Sequence, residues 1–185
     1  MFQNLLKKIA QRLNKAKIPY MVIGGQAVLL YGEPRLTKDI DITLGIGIDG
    51  FEKVAKIVTG LILKILVDNP KEFVKKTFVL PTKDENTGIR IDFIFSFSPY
   101  ERQAIEKAIN VKFGKTNVRF AALEDVVIHK VIAGRARDIE DIKSILLKNP
   151  NYNIEYIKNW LKKFDKSLTE NFSITFRKIL KDLRS

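Results

Sequence analysis

Apolar residues recur at Phe2, Leu5, Leu6, Ile9 and Leu13 with basic residues between them, a spacing that predicts an amphipathic helix over residues 2–16. Pro19 ends that pattern, and the run Tyr20-Met21-Val22-Ile23 predicts a short strand. Gly24-Gly25 then turns the chain into a helix over 26–31, closed by Gly32 and Pro34. Over 38–44 the period falls to two: Asp39, Asp41 and Thr43 alternate with Ile40, Ile42 and Leu44, a strand with one polar face. A second helical stripe (Phe51, Val54, Ile57, Val58, Leu61, Ile65) predicts a helix over 51–66, with Gly60 as its weak point.

Residues 78–80 and 89–97 flank the turn-rich stretch 81–88, which predicts a β-hairpin. Its second arm sets Ile89, Ile91, Phe93, Phe95 and Phe97 on a core face and Arg90, Asp92, Ile94 and Ser96 on the other. A helix over 99–108 and a short strand pair, 111–113 with 118–120 around Gly114, come next. From Leu123 onward the period is helical only, over 123–133 and 138–147, with the corner Gly134-Arg135-Ala136-Arg137 between them. Ile154, Ile157, Leu161 and Phe164 mark a further helix, and Ser167-Leu168-Thr169-Glu170 has the capping-box pattern that opens a last one. The expected class is α/β (α+β): a mixed α/β core over 1–121, then a C-terminal helical segment, 122–185, packed on it as a single compact unit.

Composition narrows the chemistry. The absence of cysteine excludes disulfides, thiolate nucleophiles and sulfur-ligated metals. No apolar run approaches the ~20 residues that span a bilayer, so no membrane partner is expected and a cytoplasmic location is. His129 is the only histidine, which argues against zinc chemistry and a histidine-based triad. The net charge of +12 suits a polyanionic partner, because basic surfaces gain from counterion release at phosphates. A lysine-rich surface that merely solvates helices accounts for the same charge.

Three local features carry candidate chemistry. Backbone N–H groups at a strand–Gly-Gly–helix turn form a cradle for phosphate, although Gly-Gly taken alone is more often just a tight turn. Asp39 and Asp41 point the same way from one strand, about 7 Å apart, where at an effective dielectric of ~20 their repulsion costs roughly 2 kcal/mol. A bound divalent cation reverses that sign; a solvated carboxylate pair tolerates it. Asp92 sits on the polar face of a later strand, either joining the pair or bonding to Arg90.

Taken together, apolar-Gly-Gly, a short helix, then Asp39-Ile40-Asp41-Ile42 and a later strand carboxylate resemble the nucleotidyltransferase superfamily of DNA polymerase beta type. Tyr31-Gly32-x-x-Arg35-x-Thr37-Lys38-Asp39-Ile40-Asp41 is similar to its minimal members, including abortive-infection-type toxins of bacterial toxin–antitoxin pairs. Their downstream signature is echoed by Lys130 and by Gly134-Arg135-Ala136-Arg137-Asp138-Ile139-Glu140-Asp141. The resemblance implies a nucleotidyltransferase-like mixed β-sheet flanked by helices, and transfer of a nucleoside monophosphate from an NTP to an acceptor hydroxyl. Two Mg²⁺ ions would be held by Asp39, Asp41 and Asp92, and phosphate by Gly24 and Gly25, with Arg35, Thr37 and Lys130 at the nucleotide. Arg35 reads equally as a surface arginine and Lys130 as a solvated helix lysine. The implied acceptor is RNA, a tRNA end included, with protein or small-molecule acceptors open, and an antitoxin protein is an implied partner. The competing expectation is a catalytically degenerate fold that binds nucleotide or RNA as a regulatory module.

Overall fold

All four residues of Tyr20–Ile23 (β1) are buried, as befits a strand covered on both faces. In the computed structural model, which describes residues 2–183, β1 lies inside a seven-stranded mixed sheet. The other strands are β2 (Asp39–Leu44), β3 (Lys64–Ile65), β4 (Val79–Lys83), β5 (Arg90–Phe95), β6 (Ile109–Phe113) and β7 (Thr116–Phe120). Their order across the sheet is β3-β4-β5-β2-β1-β7-β6. β2 runs antiparallel to β1 and parallel to β5, and β7 runs parallel to β1. The β3–β4, β4–β5 and β6–β7 pairs are antiparallel. The sheet is therefore mixed, as the resemblance implies.

The chain forms two compact units: residues up to Gln26 together with Leu36–Ala121, and Ala27–Arg35 together with the chain from Ala122 on. The first unit holds the sheet. Its helix α1 (Phe2–Lys15) buries Leu5, Leu6, Ile9, Ala10 and Leu13 and lies against β7, where the Gln11 amide donates to Thr116 Oγ1 at 3.0 Å. Helices α3 (Phe51–Gly60), α4 (Pro70–Thr77) and α5 (Pro99–Lys107) complete it. Helix α5 starts with a reciprocal cap: the Ser98 hydroxyl accepts from the Glu101 N–H, and the Glu101 carboxylate accepts from the Ser98 N–H.

Helix α2 (Gly24–Tyr31) begins in the first unit and ends in the second. The second unit adds α6 (Leu123–Ala133), α7 (Ala136–Lys148), α8 (Ile154–Leu168) and α9 (Phe172–Asp182). Val127, Ile142, Ile145, Ile157, Leu161 and Phe176 are among its buried residues.

Several boundaries depart from the sequence reading. The helix expected over 51–66 ends at Gly60; Ile62 takes φ 58°, and Lys64–Ile65 pairs with β4 as an edge strand. Leu61 and Ile65 extend the helical period by coincidence, and the left-handed turn at Ile62 overrides it. Helix α4 has no apolar stripe to announce it; only its proline at the first turn marks the start. Phe97, expected on the core face, lies past the end of β5 and is 63% exposed, its ring 4.7 Å from that of Phe78. Ser167 belongs to α8 and caps nothing; the first N–H groups of α9 include that of Ser173, which donates to the Asp165 carboxylate.

Candidate active site

The helix-opening glycine and the aspartate strand meet directly. Gly24 has φ 64°, and a Cβ built on it would overlap Oδ2 of Asp41 and stand 2.9 Å from its Cγ. Only glycine satisfies both the left-handed backbone and the close approach. The turn after β1 thus lays its backbone on the carboxylate of the neighbouring strand, whose Asp41 pairs with Ile23 in register.

The parallel pairing of β2 with β5 fixes the remaining acids. Asp41 stands opposite Asp92, and Asp39 opposite Arg90. Residues paired across neighbouring strands share a face, and residues two apart share it too. Asp39, Asp41, Asp92 and Arg90 therefore occupy one patch. Asp39 is exposed, while Asp41 and Asp92 are half-buried. Arg90 Nε donates to Asp92 Oδ1 at 2.9 Å. That bond, with the charges of Asp92, Asp39 and Asp41 behind it, holds the Arg90 pKa above its ordinary value. The guanidinium offsets part of the mutual repulsion of the three carboxylates.

Among the described residues, no three acidic or histidine side chains close into a metal-ligand cluster. Mg²⁺ asks for less: one or two carboxylates, with substrate phosphates and water filling the other positions. Asp41 and Asp92, adjacent in register and half-buried, supply hard oxygen donors of that kind, with Asp39 one step along the face.

Thr37, two residues before Asp39, is held by a side chain that the sequence did not single out. Gln26, buried in the first turn of α2, donates from Nε2 to Thr37 Oγ1 at 2.5 Å and so ties the approach to β2 to the glycine turn. A lone amide after Gly-Gly carries no spacing signal.

Arg35 and Lys130 lie in a different constellation, wholly within the second unit. Lys130 Nζ, at the end of a buried side chain, bridges Asp138 Oδ1 at 2.5 Å and Asp141 Oδ2 at 2.9 Å. Arg35 meets Asp141 as a two-pronged fork, Nε to Oδ1 and Nη2 to Oδ2, both 2.9 Å. Arg135 Nε donates to Asp138 Oδ2 at 2.7 Å. Burial alone would raise the Asp138 pKa, but the hydrogen bonds and charges of Arg135 and Lys130 outweigh it and hold it below the usual carboxylate range. Arg137, beside these residues in sequence, is exposed. The eight expected site residues therefore fall into two groups: Gly24, Gly25, Thr37, Asp39, Asp41 and Asp92 in the first unit, Arg35 and Lys130 in the second.

His129 directly precedes Lys130 on α6. Burial pushes its pKa down to about 4, which keeps the ring neutral at physiological pH. Trp160 lies against Phe164, ring centroids 6.1 Å apart, with Lys163 Nζ 4.0 Å above its ring.

A family model described as nucleotidyl transferase AbiEii toxin, type IV toxin–antitoxin system, matches residues 12–184. The chain belongs to this family. An AbiEii chain is a nucleotidyltransferase, and solved structures of such enzymes share its fold. The crystal structure of ANT(2″)-Ia in complex with adenylyl-2″-tobramycin aligns with a TM-score of 0.60 and 14% identity, over 90% of this chain and 98% of that one. The lincosamide antibiotic adenylyltransferase LnuA, lincomycin-bound, gives a TM-score of 0.54 and 19% identity, over 77% of this chain and 94% of that one. An antigenic nucleotidyltransferase-like protein from Paracoccidioides brasiliensis gives 0.56 and 15%, over 78% and 75%. At these identities the likeness speaks for the fold alone. No curated protein matches the AbiEii chain by sequence.

Proposed function

We propose that this AbiEii-type nucleotidyltransferase moves a nucleoside monophosphate from an NTP to an acceptor hydroxyl in a Mg²⁺-dependent reaction, with RNA as the favoured acceptor. The observation that carries the reading is the register of β2 on β5, which sets Asp41 against Asp92 with Asp39 on the same face and Gly24 packed on Asp41. Asp39, Asp41 and Asp92 would hold two Mg²⁺ ions, whose chemistry there would be to neutralise triphosphate charge and lower the pKa of the attacking hydroxyl.

The chain's own groups do the rest. Backbone N–H groups at Gly24 and Gly25, with the start of α2 behind them, face the β- and γ-phosphates. Gln26 keeps Thr37 and the strand entry in place, so that Asp39 is presented in fixed register. Asp92 accepts the acceptor's proton, directly or through water, as the new P–O bond forms. The bond from the α-phosphorus to the bridging oxygen then breaks, and pyrophosphate leaves. Arg90 releases Asp92 when the triphosphate offers the guanidinium a second anion. Arg35 and Lys130 act by fixing the α6–α7 corner through Asp141.

The +12 charge supports the RNA acceptor, and family membership supports a toxin neutralised by an antitoxin. The test is label transfer: α-labelled NTPs, Mg²⁺ and total RNA are incubated with wild type and with the double variant Asp39→Ala, Asp41→Ala. Transfer by wild type alone supports the reading; equal transfer by both overturns it. The grip of Arg90 on Asp92 also suits a non-catalytic nucleotide-binding module, which Mg²⁺-dependent NTP binding without transfer to any acceptor would identify.

A further inference from the structure

Helices α8 and α9 carry seven exposed cations. Lys158, Lys162, Lys163 and Lys166 lie exposed on α8, and Arg177, Lys178 and Lys181 lie exposed on α9. Of the nearby acids, Glu155 pairs with Lys158 at 3.0 Å, Asp182 with Lys143 at 2.9 Å, and the Asp165 carboxylate accepts from the Ser173 N–H, while Glu170 lies exposed in the turn between the helices. Lys162, Lys163, Lys166, Arg177 and Lys178 enter no ion pair among the described residues. Holding that many like charges on one short hairpin costs self-repulsion unless an anion covers them.

The same hairpin is grooved. A cavity of about 450 Å³ runs between α8 and α9, with the accessible apolar surface of Ile174 and Leu180 over the buried Leu161 and Phe176, the cations Lys158, Lys162 and Arg177 around it, and the carboxylates of Asp165 and Glu170 at its turn end. On the other side of Lys162, a shallower hollow of about 280 Å³ is lined by Lys162, Lys163 and Lys166 together with Asn159. Lys162 and Lys166 are one turn apart, ~6 Å along the helix axis, so the row can follow successive phosphates of a strand. An apolar slot beside a line of cations is the pairing that unpaired nucleic acid uses, base in the slot and phosphate on the rim. A folded acidic protein would use the cations but leave the slot unexplained.

We infer that the α8–α9 hairpin is the docking surface for the RNA acceptor. Backbone phosphates lie on Lys162, Lys166 and Arg177, and an unpaired base enters the groove over Ile174 and Leu180. The inference rests on the reading that the acceptor is RNA, but its test needs no turnover. Full-length protein is titrated into a fluorescently labelled single-stranded RNA at several salt concentrations, for wild type and for the variant Lys162→Glu, Lys166→Glu, Arg177→Glu. All three positions are exposed, and a matching Gln variant at the same sites guards against any folding defect from charge reversal.

The Glu variant should bind about tenfold or more weakly, and in the Gln variant the log–log salt slope should flatten by about 2, three phosphate contacts at ~0.7 each. NTP affinity should be unchanged in both. Loss of RNA binding upholds the surface even if wild type transfers no label, which separates its fate from that of the catalytic reading. Equal RNA affinity in wild type and both variants overturns it, as does a wild type that binds no RNA. Variants that keep RNA but lose a protein partner also overturn it and assign the hairpin to that partner.

Discussion

Replacing Gly24 by alanine probes the contact on which the candidate site is built. Two costs arise. A non-glycine residue at φ 64° carries about 1–2 kcal/mol of backbone strain. The new methyl also overlaps Asp41 Oδ2 and stands 2.9 Å from Cγ, and forced overpacking of this kind costs about 1–3 kcal/mol. The single variant should therefore lose about 2–5 kcal/mol by urea unfolding followed by far-UV circular dichroism, together with label transfer. The two costs separate in an Asp41→Ala background, where the nearest Asp41 atom left is Cβ at 3.3 Å. There Gly24→Ala should cost only the strain, a coupling of about 1 kcal/mol or more between the positions. An equal cost in both backgrounds would refute the claim that the glycine is required by Asp41.

Other perturbations separate chemistry from stability. Asp39→Asn, at an exposed position, should abolish label transfer while moving unfolding free energy by no more than about 0.5 kcal/mol. Lys130→Met strands Asp138 and Asp141 without their buried cation and should destabilise the second unit by about 3–5 kcal/mol, read by urea unfolding. Because His129 is held near 4 when folded, the unfolded chain takes up its proton first as pH falls below ~6.5. Stability present above that pH should then drain at about 1.4 kcal/mol per pH unit toward pH 4, and His129→Gln should remove that slope. Asp138, lowered when folded, contributes stability above its unfolded pKa of ~3.9 that is lost as pH falls through the folded value, so acid unfolding should come earlier in Arg135→Ala.

What the sequence revealed followed periodicity. β2 and β5 alternate cleanly, so both their existence and the face that carries Asp39, Asp41 and Asp92 were legible. The parallel register that sets Asp41 against Asp92 was not, since nothing local specifies which of two alternating strands slides where. Helix α3 misled because Leu61 and Ile65 continue a stripe that the backbone abandons at Ile62. The Arg35–Asp141 fork spans 106 positions, and its partners carry no shared pattern. Gln26 escaped notice for the same reason: a single hydrogen bond leaves no period.

The exchange of residues 27–35 into the second unit has a temporal consequence. During synthesis, Arg35 leaves the ribosome more than a hundred residues before Asp141, and Gly32 long before the Ser144 hydroxyl that meets the neighbouring Glu33 N–H. The strands β2 to β7 are complete while this stretch still lacks its partners. A nascent chain with residues up to about 125 clear of the ribosome would therefore display the carboxylate strands while residues 27–35 still lack their later partners. Cleavage at Ala121–Ala122 would not release a self-sufficient C-terminal fragment either, because such a fragment lacks the arginine that completes its buried charge cluster.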